Sequence, residues 1–157
     1  MSKPDVLDLI RTLLASRAIE YREVHHQPTH TSEESARARG EEIAIGGKAI
    51  LLKVGEEYKL FVLSAARKID SQKIKAHFGT RRLRFATPEE LLELTGLVPG
   101  SVPPFGRPIL PFDLYLDSSI PANEKIAFNA GSLTISIIMN CRDYLDLVQS
   151  EVFDFSL

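Results

Sequence analysis

The chain has 157 residues, 44% hydrophobic and 25% charged, with a formal net charge of −2. That balance fits one soluble domain with a sizeable core, and it excludes a generic nucleic-acid glue. No apolar run is long enough to span a membrane and the N-terminus lacks the apolar core of a signal peptide, so a cytoplasmic protein with no membrane partner is expected. The single cysteine, Cys141, excludes an internal disulfide and a multi-cysteine zinc site, and it reads as a small buried hydrophobe.

Apolar residues at Val6, Leu7, Leu9, Ile10, Leu13 and Leu14 have helical spacing, with Lys3 and Asp5 leading in, and they predict a helix from Val6 to Ala18. Tyr21 to His25 is of strand length. Thr31-Ser-Glu-Glu34 reads as a capping box, opening a helix that runs to Arg39 and stops at Gly40. Lys48–Val54 and Tyr58–Ser64 are apolar runs joined by Gly55-Glu56-Glu57, which predicts a hairpin. Their near-continuous hydrophobicity marks central strands covered on both faces.

Asp70 is placed to cap a helix over Ser71–Phe78 that Gly79 ends, and Arg81–Phe85 reads as a strand with a basic face. Thr87-Pro-Glu-Glu90 combines a cap, proline at the first helical position and acids in the first turn, starting a helix that ends at Gly96. Phe112–Leu116 and Lys125–Asn129 read as strands. Leu133, Ile135 and Ile137 alternate with Thr134 and Ser136, the pattern of a half-buried strand. A last helix is predicted over Arg142–Gln149, then a tail, Glu151–Leu157, packing by its two phenylalanines. Helices and hairpins mix without strict βαβ alternation, so the fold class is α+β with a mixed central sheet in a single domain over residues 1–157.

Charge is uneven: Arg67 to Arg84 holds seven Lys/Arg and one Asp, whereas Asp143 to Asp154 holds four acids and no base. The basic strip, with Arg67, Lys68, Arg81 and Arg82, is a candidate for meeting a polyanion on one side, and equally a solvated helix and strand face. Between Gly96 and Pro111 stand five of the nine prolines and three of the nine glycines. Such a loop is stiff yet able to turn backbone N–H groups outward towards a carbonyl oxygen or a phosphate. Lys48 stands at the mouth of an apolar strand, just after Gly46-Gly47, where an ammonium could hold a phosphate or simply face water. Asn129-Ala-Gly131 is either a plain hairpin turn or part of a cleft wall. His25, His26 and His30 come without a spaced ligand set, so no metal is expected; no nucleophile elbow and no Walker or dinucleotide fingerprint occurs.

Taken in order, His26 and Pro28, then Thr31 with Glu33 and Ser35, then Lys48-Ala-Ile-Leu-Leu-Lys53, then Gly100-Ser-Val-Pro-Pro104-Phe-Gly, then Asn129-Ala-Gly131 closely resemble the YbaK-like family. This is the aminoacyl-tRNA deacylase family of the prolyl-tRNA synthetase editing insertion domain and its free-standing relatives. The resemblance covers about Val6 to Val148. It implies a mixed, barrel-like sheet flanked by helices. It also implies a hydrolase without cofactor that clears wrongly attached small amino acids from tRNA. One departure is that no synthetase or anticodon domain is expected in the chain, so selection of a tRNA would come from this small surface or from a partner. Its partners would be the 3′ acceptor end of aminoacyl-tRNA and an aminoacyl-tRNA synthetase.

By that resemblance Lys48 holds phosphate near the 3′ end, and the Gly100–Pro104 loop presents backbone N–H to the ester carbonyl; Lys48 and Gly100 are the catalytic candidates. His26, Thr31, Ile50, Ser101, Val102, Pro104, Phe105, Asn129 and Gly131 are the substrate-binding candidates, with Ile50, Val102 and Phe105 as walls of the amino-acid pocket. The alternatives are a module of the same fold that binds tRNA or a synthetase without hydrolysis, and a different small-molecule hydrolase or binder using the same cleft.

Overall fold

The structure is a computed structural model that describes residues 5–157; Lys3, named above at the entry to the first helix, lies outside the described residues. Helix α1 (Val6–Ser16) starts where the Asp5 carboxylate accepts the Leu7 amide at 3.2 Å and ends two residues earlier than the spacing predicts. Its buried face is Leu7, Ile10 and Leu14. Strand β1 (Tyr21–His25) leads to α2 (Ser32–Arg39), closed by Gly40 at φ 71°. The predicted capping box is only half formed there. Thr31 Oγ1 accepts the Glu34 amide, but Glu34 reaches back to the amide of His30 rather than to that of Thr31. The box at Thr87 is complete, with Thr87 and Glu90 each accepting the other's backbone N–H.

The hairpin is β2 (Gly47–Val54) and β3 (Glu57–Ser64), followed by α3 (Ser71–Phe78), β4 (Leu83–Phe85) and α4 (Pro88–Thr95). Then come β5 (Asp113–Asp117), β6 (Lys125–Asn129), β7 (Ile135–Asn140), α5 (Cys141–Val148) and β8 (Glu151–Phe153). The predicted tail therefore contributes an edge strand. Its Phe155 is fully buried, edge-on to Phe61 with ring centroids 5.3 Å apart. Strand β7 is not the half-buried strand that alternation suggested: it starts two residues later and is buried from Ser136 to Met139, because Ile137 and Met139 enter the larger core while Arg39 covers Ser136 on the other face.

Two sheets result. One is antiparallel in the order β1-β7-β6; the other is mixed, β4-β2-β3-β5-β8, with β5 parallel to both β3 and β8. A single parallel bridge, Gly46 to Ala127, joins them, so among the described residues the barrel-like sheet implied by the resemblance is two sheets and no closed barrel. Strands β2 and β3 are interior and covered on both faces, as their unbroken hydrophobicity requires. Leu51, Leu60 and Val62 enter the larger core with α1, α5 and the other sheet; Leu52, Val54, Phe61 and Leu63 enter a second core with Ile74 and Phe155. Cys141 lies in the larger core and its thiol donates to the Ile120 carbonyl at 3.3 Å; burial pushes its pKa up, as befits a small hydrophobe.

Candidate active site

The two sheets meet at Gly46-Gly47, and glycine is needed there for close approach. A side-chain carbon at Gly47 would lie 2.7 Å from Ile126, and one at Gly46 would lie 3.0 Å from Ala65. That contact brings the start of β2 under the C-terminal end of α2 and encloses a cavity of about 140 Å³. Lys48, Arg39 and Asn129 line it with Gly100 and Val102 of the proline-rich loop, and the N-terminal turn of α2 contributes Thr31.

Lys48 is half buried, and neither a hydrogen-bond nor an ion-pair partner stands beside it among the described residues. Burial holds its ammonium below the ordinary lysine range, the nearby positive charge of Lys68 adds to this, and Glu33 offsets part of it. The loop opposite is held by side chains on both flanks. Asn129 Nδ2 donates to the Gly100 carbonyl at 2.7 Å, and the buried Tyr144 hydroxyl donates to the Pro104 carbonyl at 2.6 Å. Gly100 has φ 88°, a conformation that glycine adopts freely. The Ser101 amide is used in a turn to Val98 (3.1 Å), whereas no acceptor within the described residues takes the N–H of Gly100 or of Val102.

Behind Asn129 lies a polar network that the sequence analysis did not identify. Arg39 Nε donates to Ser136 Oγ and Nη2 to Asn129 Oδ1, each at 3.0 Å. Ser136 Oγ lies 3.0 Å from Asn129 Oδ1 and 2.9 Å from His26 Nε2, and its one proton serves either acceptor. Arg39 is 8% exposed, and no carboxylate is bonded to it among the described residues. Burial lowers its pKa to about 10, so it stays charged at neutral pH. A signal was available. Helix α2 is Ser-Glu-Glu-Ser-Ala-Arg-Ala-Arg, too polar to dock by an apolar stripe, and Ser35 and Arg39 share one face four residues apart.

The remaining predicted residues are dispersed. His26 does not line the cavity but supports it through Ser136, its Nδ1 bonded to the Gln27 carbonyl at 2.8 Å. Ile50 lines an adjoining apolar hollow of about 300 Å³ that shares Ala49, Gly100 and Val102 with the cavity. Ser101 is buried, with its hydroxyl bonded back to Val98 at 2.8 Å. Phe105, expected as a pocket wall, is 2% exposed and packs edge-on to Phe128 and Tyr144 in the core. Pro104 is buried and Gly131 turns the chain beneath α1, where a side-chain carbon would meet Val6 at 3.1 Å.

The basic strip is partly paired within the chain. Arg67 donates to the Leu157 carbonyl at 3.1 Å, Arg82 pairs with Glu56, and Arg84 with Glu90. Arg81 and Arg82 border a separate hollow with Lys53, about 16 Å along β2 from Lys48. Of the named cations, Lys68 is the one whose charge is felt at Lys48. The three histidines do not converge. His25 is bonded to Glu23 and His26 to Ser136, and no cluster of three or more His, Cys, Asp or Glu side chains fit to hold a metal occurs among the described residues. No helix among them is long and apolar enough to cross a membrane.

A small α+β fold thus sets an unpaired lysine and a glycine–proline loop on the walls of one cleft. The chain belongs to the aminoacyl-tRNA editing domain family, whose model matches residues 26–147. It is 34% identical over 149 residues to the "Multifunctional Ser/Thr-tRNA deacylase ProXp-y" of Escherichia coli K12, covering 91% of this chain and 88% of that one. It is 32% identical over 100 residues to a proline–tRNA ligase of Shouchella clausii, matching 64% of this chain but 17% of the ligase. Among solved structures, a protein described as a candidate trans-editing enzyme for prolyl tRNA synthetase superposes with a TM-score of 0.83 at 27% identity, covering 99% of both chains.

Proposed function

We propose that this chain is a free-standing aminoacyl-tRNA deacylase, hydrolysing the ester that joins a wrongly attached small amino acid to the 3′ acceptor end of tRNA, with residues 1–157 acting as one domain. One observation carries the reading. Across a single cavity an unpaired ammonium, Lys48, faces a loop with two undonated N–H groups, Gly100 and Val102, in a chain of the editing family. The near-complete overlap with the E. coli deacylase, against the small fraction of the proline–tRNA ligase, favours the free-standing form. The cytoplasm, where charged tRNA and the synthetases reside, is the corresponding place of action.

The chemistry asks little of the protein, because an aminoacyl ester is already activated. A water oxygen attacks the acyl carbon, the carbonyl oxygen becomes an oxyanion, and the bond to the ribose oxygen then breaks. That oxygen leaves with a proton ultimately supplied by the water, giving free amino acid and uncharged tRNA. The N–H groups of Gly100 and Val102 meet the developing oxyanion, and Lys48, reinforced by Lys68, holds the terminal phosphate. The neighbouring ribose hydroxyl orients the water.

A cavity of about 140 Å³ is close to the roughly 150 Å³ that holds a benzene ring alone, which suits the acyl group of serine, threonine or alanine and leaves no room for the amino and carbonyl groups of a phenylalanyl one. The adjoining hollow, walled by Ile50, Leu91 and the exposed Phe85 and lined by no charged side chain, suits the terminal base, since unpaired bases stack on aromatic rings. The test is a panel of tRNAs charged with serine, threonine, alanine, cysteine, valine and phenylalanine. Ester loss well above the buffer rate is expected for the small residues; no acceleration for any of them refutes the reading.

A further inference from the structure

The least explained group in the site is the Arg39 guanidinium. Burying a cation without an anion is costly, and buried arginines normally meet a carboxylate. Here two neutral acceptors, Ser136 Oγ and Asn129 Oδ1, take Nε and Nη2, and among the described residues no acceptor takes Nη1. Nη1 lies beside Gly46, where even a methyl carbon would stand 3.4 Å away. No fully buried side-chain nitrogen or oxygen lacks a partner among the described residues, so Nη1 keeps some surface. Arg39 and Gly46 both line the cavity. A rigid fork held at two points on the cavity wall thus keeps its third corner without an acceptor.

Three groups of an aminoacyl ester could meet it: the α-ammonium, the carbonyl and the side chain. A guanidinium repels the ammonium. The carbonyl belongs at the loop, and the Asn129 amide stands between the Gly100 carbonyl and Arg39. The side chain is left, in a cavity that the buried Thr29–Ser35 hydroxyl pair, 2.8 Å apart, also lines.

We propose that Arg39 is the specificity-determining residue of the cavity, its Nη1 donating to the side-chain oxygen of a seryl or threonyl group and so selecting β-hydroxy amino acids over alanine and valine. The inference rests on the deacylase reading for its substrate but makes a separate claim. An alanyl group leaves a buried charged donor unsatisfied, which a site built to bond a hydroxyl penalises. Of the apolar walls suggested by the sequence, Val102 lines the cavity, Ile50 lines the adjoining hollow and Phe105 lies in the core, while Arg39 adds a cationic donor.

The test uses non-hydrolysable amides of 3′-amino-3′-deoxyadenosine with L-serine and L-alanine, binding measured by calorimetry, alongside hydrolysis of Ser-tRNA and Ala-tRNA. The wild-type protein is expected to bind the seryl amide roughly ten- to a hundred-fold more tightly than the alanyl amide. Arg39→Lys, confirmed folded by a cooperative melting transition, is expected to bring that ratio close to one; a merely structural Arg39 would weaken both amides equally. Equal affinities in the wild type, or binding of neither amide, overturn the proposal without requiring any variant to fold. A clear seryl preference without hydrolysis of Ser-tRNA supports it while refuting the deacylase reading, and hydrolysis with equal affinities does the opposite.

Discussion

Replacing Lys48 with methionine removes the charge and keeps most of the aliphatic stem. No hydrogen bond or ion pair within the described residues is lost, because Lys48 makes none. Burial and then Lys68 already disfavour its ammonium, so stability is expected to stay within about 1 kcal/mol of wild type or to rise slightly. The sign follows from proton binding. The folded pKa lies below 10.5, so between the two values the unfolded chain holds more protons, and the wild type gains stability as pH rises through that window. The variant lacks this gain, so any advantage it has at neutral pH shrinks as pH approaches 10.5. Activity should behave differently. If Lys48 holds the terminal phosphate, its loss removes a charge-assisted contact of about 1.5–3 kcal/mol, roughly a ten- to hundred-fold fall in kcat/KM. Lys48→Arg should restore only part of this, because a planar fork does not replace a compact ammonium in a tight site. Single-turnover hydrolysis of an ester the parent clearly cleaves, with melting curves in parallel, is the assay. A methionine variant as fast as the parent would remove Lys48 from the site, and one that melts far lower would show that the lysine is structural.

The fold was largely legible because its signals are local. Caps at Asp5, Thr31, Asp70 and Thr87 and glycine stops at Gly40, Gly79 and Gly96 bound four of the helices, and the β2–β3 hairpin carries its own turn. What failed was non-local. Ser136 and Thr134 look like the solvent side of an alternating strand, but β7 has neighbours on both edges, and Ser136 is buried because Arg39 and Asn129 give its hydroxyl partners. In the sequence Arg39 marks only the end of a predicted helix, and only the approach of Gly46 reveals it as a cavity wall. Lys48 and the Gly100 loop could be picked out as a pair, though they are 52 positions apart, only because a family resemblance set them side by side. The carboxylates that pair with Arg82 and Arg84, Glu56 and Glu90, are close in space but not part of the run of charges that defines the strip.

Asn129→Ala should lower stability by about 1–3 kcal/mol, by stranding the Gly100 carbonyl and Arg39 Nη2, and should lower kcat as the loop loosens; unchanged single-turnover rates would show that the loop needs no such anchor. Lys68→Glu should weaken tRNA binding and flatten its salt dependence, whereas Arg82→Glu, whose partner is already Glu56, should do so far less; equal effects would make the strip one surface. Dialysis against a chelator should leave the deacylation rate unchanged, since the cavity walls offer no spaced ligand set, and a loss restored by zinc would overturn the mechanism. Acid stability should depend on the clamp between α1 and β1. Arg11 donates from Nε and Nη2 to the two oxygens of Glu23, each at 2.8 Å, and this pairing lowers the Glu23 pKa to about 2 from 4.5. A carboxylate depressed in the folded state stabilises fully above its unfolded pKa and loses that contribution as pH falls through the folded value. The melting temperatures of wild type and Arg11→Ala should therefore differ most above about pH 4.5 and converge towards pH 2. A gap that stays constant across this range would mean that Arg11 stabilises through packing of its stem rather than through the charge of Glu23.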